Sequence, residues 1–253
     1  MNRVSGKKAS RRAPSPSSTQ RQIDEMQRRV ATRALQAGPE DRDLTERKQR
    51  QIVDGASKVL FEKGFGKTSI RDIAAAAGMS MGQLYHYISS KDDILYLMHR
   101  RDQENWYQVL SEAGFDDIED PVEKLEYGLR ITFKYLSANR DFVQFIFTES
   151  KYLDREHLDQ VLELDDQNVV GFYRHLLEGV PGLRYKGREA ELAANLVHFI
   201  ATFMPLRGWN LHLKTSADID TAVEFLIDFI FHGLGIERAA SAAGERSTTT
   251  KEA

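Results

Sequence analysis

The sequence contains no cysteine. Without cysteine the chain forms no disulfide and offers no thiolate ligand to a metal, which is typical of proteins in a reducing cytosol. No apolar run approaches the roughly 18 residues of a membrane-spanning helix, and no signal peptide is recognisable. We therefore expect a cytoplasmic protein that does not contact a membrane.

Motifs for catalysis or cofactor binding are also scarce. The seven histidines include no His-x3-His pair with a nearby acid, and the sequence has no phosphate loop or dinucleotide fingerprint. We expect no metal, cofactor or catalytic residue. One alternative stays open, because residues 78–82 match the Gly-x-Ser-x-Gly elbow of the α/β-hydrolases, with Ser80 as the nucleophile. That elbow requires a preceding strand, whereas residues 74–77 have helical spacing.

Charge is distributed unevenly along the chain. Residues 1–46 hold ten Lys/Arg against six Asp/Glu, and residues 47–101 hold ten against five. The remaining residues must then carry a net charge of −12 for the whole chain to reach −3. A basic front part and an acidic rear part are expected when only the front part meets phosphate.

Residues 69–90 have the pattern of two helices joined by a tight turn. Ser69 is placed to cap the first helix, with Asp72 in its first turn. Gly78 is suited to the left-handed residue that ends a helix. Ser80 and Gln83 form a Ser-x-x-Gln capping box for the second helix, predicted over residues 81–87. This pattern indicates a helix-turn-helix, whose second helix enters the major groove of DNA.

Residues 47–101 resemble the DNA-binding domain of the TetR/AcrR family of bacterial transcriptional regulators. The resemblance is carried by residues at matching places in the same order. These are Ile52, Ala56, Leu60–Phe61, Gly64–Phe65, Thr68–Ala74, Ala77–Gly78, Leu84–Tyr87 and Lys91–Leu95.

The resemblance also implies which residues meet DNA. Gln83 is expected to read a base, because its amide can pair two-pronged with adenine. Tyr85, His86 and Lys91 are expected to meet phosphates, and Tyr87 to pack inward. The DNA-binding set predicted in this way is Arg47, Lys48, Thr68, Ser69, Met81, Gly82, Gln83, Tyr85, His86 and Lys91.

The rest of the chain is predicted to be helical, which gives an all-α fold with an N-terminal three-helix helix-turn-helix domain and a larger helical domain. Residues 1–44 are predicted to be a basic, largely disordered extension with a possible short helix at 21–37, ended by Gly38–Pro39. Residues 45–101 form the DNA-binding domain, 102–236 the ligand-binding and dimerisation domain, and 237–253 a disordered tail. Rear helices are expected at about 91–113, 121–137, 141–150, 155–178, 188–213 and 220–234.

Aromatic residues are dense in the rear helices, and the family binds small effectors in this domain. We expect a small apolar or acyl-CoA-like effector in a cavity among these helices. Its predicted contacts are Trp106, Tyr107, Phe133, Phe145, Tyr152 and Phe172. Glu149 stands amid apolar sequence, where a surface position and a buried ligand contact are both compatible with the pattern.

Two predicted helices, at 188–213 and 220–234, have wide apolar faces. One stripe contains Leu192, Leu196, Phe199 and Phe203, and the other contains Val223, Leu226, Ile227, Ile230 and Phe231. In the family, two such helices from each of two chains form a four-helix bundle, so we expect a homodimer that binds an operator in double-stranded DNA, as a repressor. A helical adaptor without DNA binding is the remaining alternative.

Overall fold

The computed structural model describes residues 39–211 and 215–238, and the regular elements in these ranges are all helical, which confirms the predicted class. None of the described helices is both long and apolar enough to cross a membrane. The α-helices are α1 (Pro39–Lys63), α2 (Ile70–Ala76), α3 (Met81–Leu84), α4 (Asp92–Glu112), α5 (Pro121–Ala138), α6 (Arg140–Glu149), α7 (Arg155–Asp165), α8 (Gly171–Gly179), α9 (Arg188–Ala201), α10 (Phe203–Leu211) and α11 (Ser216–Leu234). A 3-10 turn at Phe115–Asp117 precedes α5, another at Ser150–Tyr152 precedes α7, and a π segment at Asp166–Val170 joins α7 to α8.

The first three helices and the start of α4, which we call the head, surround a small core that Phe145 and Ile146 of α6 and Val161 of α7 complete. The predicted caps are present: the Ser69 hydroxyl accepts from the Asp72 amide and the Ser80 hydroxyl accepts from the Gln83 amide, each at 3.2 Å. Gly78 has a φ of +65°, as its role in the turn requires. The apolar side chains at the centre of the head are Ile52, Ala56, Leu60, Ile73, Leu84, Ile88, Ile94 and Leu95.

The N-terminal boundary of the head differs from the prediction. Helix α1 begins at Pro39 rather than near Thr45, so the Gly38–Pro39 pair does not separate residues 39–44 from it. Proline is compatible with the first turn of a helix because its missing amide proton has no helical acceptor there. The helix predicted at 21–37, the rest of the basic extension and residues 239–253 of the tail lie outside the described residues.

The remaining helices pack around a second core, which we call the body. Trp106 of α4 lies in this core together with Phe133, Tyr173, Ile227 and Phe231, and all five are buried. Since α4 contributes to both cores, the proposed domain boundary at residues 101 and 102 falls within one continuous helix.

Several predicted rear helices end or begin elsewhere. The helix predicted at 155–178 widens into the π segment, and the helix predicted at 188–213 is divided at Thr202, whose hydroxyl bonds the Phe199 carbonyl at 2.8 Å. The last helix begins at Ser216 instead of Asp220, because Thr215 caps it and Asp218 completes the box. Helix α6 begins at Arg140, with Asp141 inside its first turn and not at its cap.

A close crossing of α1 and α2 sets the geometry of the head. A Cβ atom on Gly55 would lie 2.6 Å from the Ala77 amide nitrogen and 2.7 Å from the Ala76 carbonyl carbon. These neighbours are backbone atoms, which cannot rotate away as a side chain can. The helices can therefore approach this closely only with glycine at position 55.

We expect Gly55→Ala to destabilise the protein by about 1–3 kcal/mol, because α2 must shift to admit the methyl group. Alanine in an open helix position would instead stabilise by roughly 1 kcal/mol. Urea unfolding followed by circular dichroism measures the change. Gly82→Ala is the matched control, since a Cβ there meets no atom within 4 Å. Equal midpoints for the two variants would contradict the role of the crossing.

Candidate DNA-binding surface and effector cavity

The short helix α3 lies on the surface of the head, and its apolar side faces the head core. Leu84 and Ile88 are buried beneath it, while Gly82, Gln83 and His86 are exposed. Helix α3 ends at Leu84 and not at Tyr87, and hydrogen bonds from the His86 and Tyr87 amides continue it as a turn. The predicted recognition element is thus a single capped turn of helix followed by an aromatic turn. No strand precedes Ser80, so the hydrolase elbow is ruled out by the helix at Ile70–Ala76.

Gln83 has two uses in this geometry. Its side-chain oxygen accepts from the Ser80 amide at 2.9 Å and so completes the capping box. The side chain is nevertheless exposed, and position 82 beside it is open. A two-pronged contact with a base would require the amide group to leave the cap.

Basic residues lie on α1, along its groove with the end of α2. Arg47 is exposed and pairs with Asp43 at 3.0 Å, and the Lys48 ammonium group donates to Gln51 at 3.1 Å. Arg47, Arg50 and Lys58 line a shallow groove of about 380 Å³ between α1 and α2. Lys58 was not among the predicted residues, although it follows Arg50 and Arg47 by about two and three turns of α1, which points to a shared face.

Two predicted DNA-binding residues serve the head internally. Thr68 is buried, and its hydroxyl donates to the Gly64 carbonyl at 2.8 Å. The Lys91 ammonium group donates to the carbonyls of Phe65 at 2.7 Å and Thr68 at 3.1 Å, and burial lowers its pKa. Both side chains fix the loop before α2, so neither directs its polar group at a duplex in this conformation. The exposed Ser69 lies at the α2 N-terminus as predicted, with its hydroxyl hydrogen-bonded to Asp72.

The same loop is held from the body. The Glu149 carboxylate at the end of α6 accepts from the Phe65 amide at 2.7 Å, so this residue is neither a surface acid nor a ligand contact. Lys91 and Glu149 thus bond the two polar backbone groups of a single residue, Phe65. We call this arrangement the Phe65 clamp.

A second polar contact joins body and head nearby. His157 of α7 lies between the carboxylates of Asp93, at 2.7 Å from its Nε2, and Asp154, at 2.9 Å from its Nδ1. Burial alone would lower the pKa of His157, but these hydrogen bonds and charges outweigh it and raise the pKa. The start of α7 is thereby tied to the start of α4.

A cavity of about 290 Å³ lies in the body, next to this junction. Apolar side chains from α6 and α7 form much of its wall. Sequence reasoning missed its ionisable residues, which come from α4, α7 and α9. The lining residues are His99, Asp102, Gln103, Trp106, Thr132, Leu136, Phe142, Val143, Ile146, Phe147, Ser150, Leu158, Val161, Leu162, Asp165, Val169, His198 and Thr202.

Of the six predicted ligand contacts, Trp106 alone lines this cavity. Phe133 is fully buried in the body core, and Phe172 packs against that core. Phe145 belongs to the head core and stacks edge-on against Phe61. The prediction that these three residues contact a ligand in this cavity is therefore wrong. The aromatic residues that suggested a cavity are instead side chains that pack in the cores.

The other two predicted contacts also lie away from the cavity. Tyr107 is exposed and its hydroxyl donates to the Asn168 carbonyl at 2.8 Å. Tyr152 is exposed and its ring lies 3.6 Å from the position that a Cβ on Gly66 would take. Tyr152 therefore belongs to the junction between body and head.

The polar residues of the cavity are strongly affected by burial. Burial raises the pKa of the Asp102 carboxyl to about 6, although a hydrogen bond from the Tyr135 hydroxyl at 2.7 Å acts in the opposite direction. Burial lowers the pKa of the His99 imidazole to about 4, against the attraction of Asp165. Asp165 itself lies 3.2 Å from the His198 imidazole. Buried ionisable groups with shifted pKa values in a cavity are typical of functional sites.

One face of the body exposes large apolar side chains. The stripe predicted on α9 and α10 is exposed as expected: Leu192 by 61%, Leu196 by 58%, Phe199 by 63% and Phe203 by 41%. The stripe predicted on α11 is wrong, since all of its members are buried inside the subunit: Val223, Leu226, Ile227, Ile230 and Phe231. The exposed side of α11 instead carries Phe225 and Phe229, at 67% and 60%.

A capped, projecting α3 on a three-helix head, joined to a larger helical body, defines a helix-turn-helix protein. Residues 52–96 match the family described as "Bacterial regulatory proteins, tetR family". The chain is 30% identical over 113 residues to the HTH-type transcriptional regulator HbdR of Aromatoleum sp., a match that covers 45% of this chain and 49% of HbdR. The chain thus resembles TetR-family regulators over its helix-turn-helix region, and it spans about half the length or less of the first two curated relatives that it matches.

Solved structures share the whole described architecture. The transcriptional regulator FadR from Bacillus subtilis, in complex with stearoyl-CoA, superimposes with a TM-score of 0.57 at 19% identity, over 73% of this chain and 98% of that one. AibR, in complex with isovaleryl coenzyme A and operator DNA, superimposes with a TM-score of 0.54 at 22% identity, over 73% of this chain and 97% of that one. At these identities the likeness establishes the fold, including the two-part division.

Proposed function

We propose that this protein is a cytoplasmic, ligand-responsive transcriptional regulator that represses by binding DNA as a homodimer. The observation that carries the proposal is the exposed surface of α3, which the buried side chains of Leu84 and Ile88 hold on the head. The same head carries exposed basic residues on α1. Helix-turn-helix proteins place such a helix in the major groove, and basic residues beside it meet phosphates. A homodimer then binds a near-palindromic operator with half-sites one turn or more apart.

Exchanging Gln83 tests base reading without removing the cap. Gln83→Glu keeps a Ser-x-x-Glu box but loses the amide donor, so we expect base preference at one position of each half-site to move from adenine towards cytosine. For each protein, replacing its preferred base at that position should weaken binding by about 1–3 kcal/mol. Enrichment of a random duplex library on both proteins measures the preference. Identical preferences would contradict the assignment of Gln83.

Removing a phosphate contact has a different signature. Lys48→Gln should weaken binding to every sequence alike and reduce the slope of log affinity against log salt by about 1 per subunit. Lys186→Gln, which removes an exposed lysine from the body, is the control and should leave the slope unchanged. An unchanged slope for Lys48→Gln would place this residue away from the DNA backbone.

The exposed apolar face of α9, α10 and α11 supports the proposed dimer. Six large apolar side chains there are between 41% and 67% exposed, and Phe225 and Phe229 stack on each other with centroids 6.4 Å apart. A contiguous apolar surface of this kind marks an interaction site in a soluble protein. A second copy of the same face would cover it through a two-fold axis, and the similarity to TetR-family regulators favours this partner.

Leu196→Glu should dissociate the dimer, because the interface would then bury an unpaired carboxylate. Sedimentation equilibrium measures the mass. Val109→Glu is the matched control, since Val109 is also an exposed apolar residue but lies on α4. A Leu196→Glu protein that sediments like the wild type would exclude this face as the interface.

The cavity supports the proposed response to an effector, which we take to be small and to carry an apolar chain. The solved FadR and AibR structures contain acyl-CoA thioesters, and the apolar walls of this cavity suit such a chain. Helix α6 lines the cavity with Phe142, Val143 and Ile146 and ends at Glu149 in the Phe65 clamp. An effector that favours a different position of α6 would therefore shift the head by its differential affinity for the two conformations.

Glu149→Ala tests this connection. The Phe65 amide loses its acceptor, so we expect hydrogen exchange in residues 64–68 to accelerate by about tenfold or more, as loss of a hydrogen bond to a charged group costs roughly 1.5–3 kcal/mol. Exchange measured by mass spectrometry reports this. Glu149→Gln retains an acceptor oxygen and should exchange at nearly the wild-type rate, while equal acceleration in both variants would show that the clamp does not depend on this hydrogen bond.

A further inference from the structure

The cavity presents its polar groups from two directions. His99, Asp102, Gln103 and Trp106 are spaced three, four and seven residues apart on α4, so they share one face of that helix and all line the cavity. Asp165 at the end of α7 and His198 of α9 contribute from other walls. His99 and Asp165 line the same cavity, and the charge of Asp165 acts against the effect of burial on the pKa of His99.

Some of these groups have hydrogen-bonding capacity to spare. Within the described part of the chain, His99 Nε2 and His198 Nδ1 are buried and have no hydrogen-bond partner. Buried polar atoms of folded proteins are nearly always paired, so an unpaired nitrogen beside a cavity is available to a polar group of a bound molecule. With a pKa of about 4, His99 is neutral at pH 7, and a neutral imidazole has one nitrogen that accepts a hydrogen bond.

The charge of the lining selects among polar ligands. Two carboxylates, Asp102 and Asp165, are present, and the described lining residues include no lysine or arginine. A carboxylate or phosphate placed here would meet like charge and no permanently charged side chain of opposite sign among the described lining residues. An ammonium group would meet opposite charge, and it would also favour the ionised form of Asp102, which burial disfavours.

Size and wall chemistry limit the rest of the ligand. A volume of about 290 Å³ lies at the lower end of the range of ligand cavities. The walls opposite α4 are mainly apolar, with Phe142, Val143, Ile146, Leu158 and Val161. A short alkyl or aromatic body fits this space, whereas the nucleotide part of a coenzyme A thioester does not.

We propose that this cavity binds a small amphipathic amine, whose ammonium group is held by Asp165 and Asp102 and whose apolar body contacts α6 and α7. This inference rests on the proposed function in one respect: the amine is the effector of the regulator. The effector would then be a cation with an apolar chain, and not a thioester or a purely apolar molecule.

Four probes with the same chain length test the ligand class. Octylamine, octan-1-ol, octanoate and octanoyl-CoA are titrated into the full-length protein at pH 7 by calorimetry, below their micellar concentrations. We expect octylamine to bind about tenfold or more tightly than each of the other three, which corresponds to one charge-assisted contact. Octanoate or octanoyl-CoA binding as tightly as octylamine, or no binding of octylamine, would overturn the proposal.

Matched variants locate the site. Asp165→Asn should reduce octylamine affinity about tenfold and leave octan-1-ol affinity unchanged. Asp166→Asn is the control, because Asp166 is the next residue, is exposed, and pairs with Arg174 instead of lining the cavity. Asp102→Asn is a second test of the same site, should Asp165→Asn fail to fold. Equal octylamine affinity in all three variants and the wild type would overturn the assignment.

The effector role is measured separately from the ligand class. Operator affinity is determined by fluorescence anisotropy with and without saturating octylamine, and we expect it to fall about tenfold or more. Selective octylamine binding with unchanged operator affinity would overturn the effector role and leave the ligand class intact. Absence of any specific operator would refute the proposed regulator, and the calorimetric result would still decide whether the cavity prefers an amine.

Discussion

The arrangement of this molecule depends on how one residue of the head is held. The Phe65 amide donates to Glu149 of the body, and the Phe65 carbonyl accepts from Lys91 at the start of α4. The Lys91 ammonium group also lies 4.0 Å from the centre of the Phe65 ring. Both charged partners are partly withdrawn from water, where charge-assisted hydrogen bonds are stronger than at an open surface. The loop before α2 therefore takes its position from the body as much as from the head.

This clamp joins the two places where chemistry is concentrated. On one side, the loop leads directly into α2 and the capped turn of α3. On the other side, α6 passes from Glu149 back along the cavity wall, and α7 begins at the His157 contact with Asp93. The junction is apolar as well as polar: Phe145 and Ile146 of α6 and Val161 of α7 are buried in the head core, and Phe145 packs edge-on against Phe61. A shift of α6 or α7 would therefore move side chains that pack inside the head.

The local features of the head were predictable from sequence because short-range rules govern them. Capping boxes and a left-handed glycine depend on residues within four positions, and the structure has them at Ser69, Ser80 and Gly78. Lys91 and Thr68 were assigned to DNA by resemblance, but their hydrogen bonds depend on which loop lies beside them in space. That information is tertiary, and no periodicity in the sequence contains it.

In the body, the type of each residue was a poor guide to its position. Aromatic side chains predicted for the cavity lie mostly in or against the cores, because each of them removes a large apolar area from water there. The second apolar stripe was misplaced because α11 is apolar around most of its circumference, so periodicity did not identify the exposed side. The residues at 99, 102, 103 and 106 follow helical spacing, which could have placed them on one face of α4. Exposed polar residues elsewhere on α4, such as Glu104 and Gln108, concealed that face in the sequence.

The apolar face on α9 and α11 has a consequence for the response to protein concentration. If two subunits must meet to cover it, the concentration of the DNA-binding species rises with the square of the chain concentration while most chains are still single. A small change in synthesis or degradation then produces a larger change in promoter occupancy. The side chains of Phe225 and Phe229 would in this way set a threshold for gene control, far from any nucleotide.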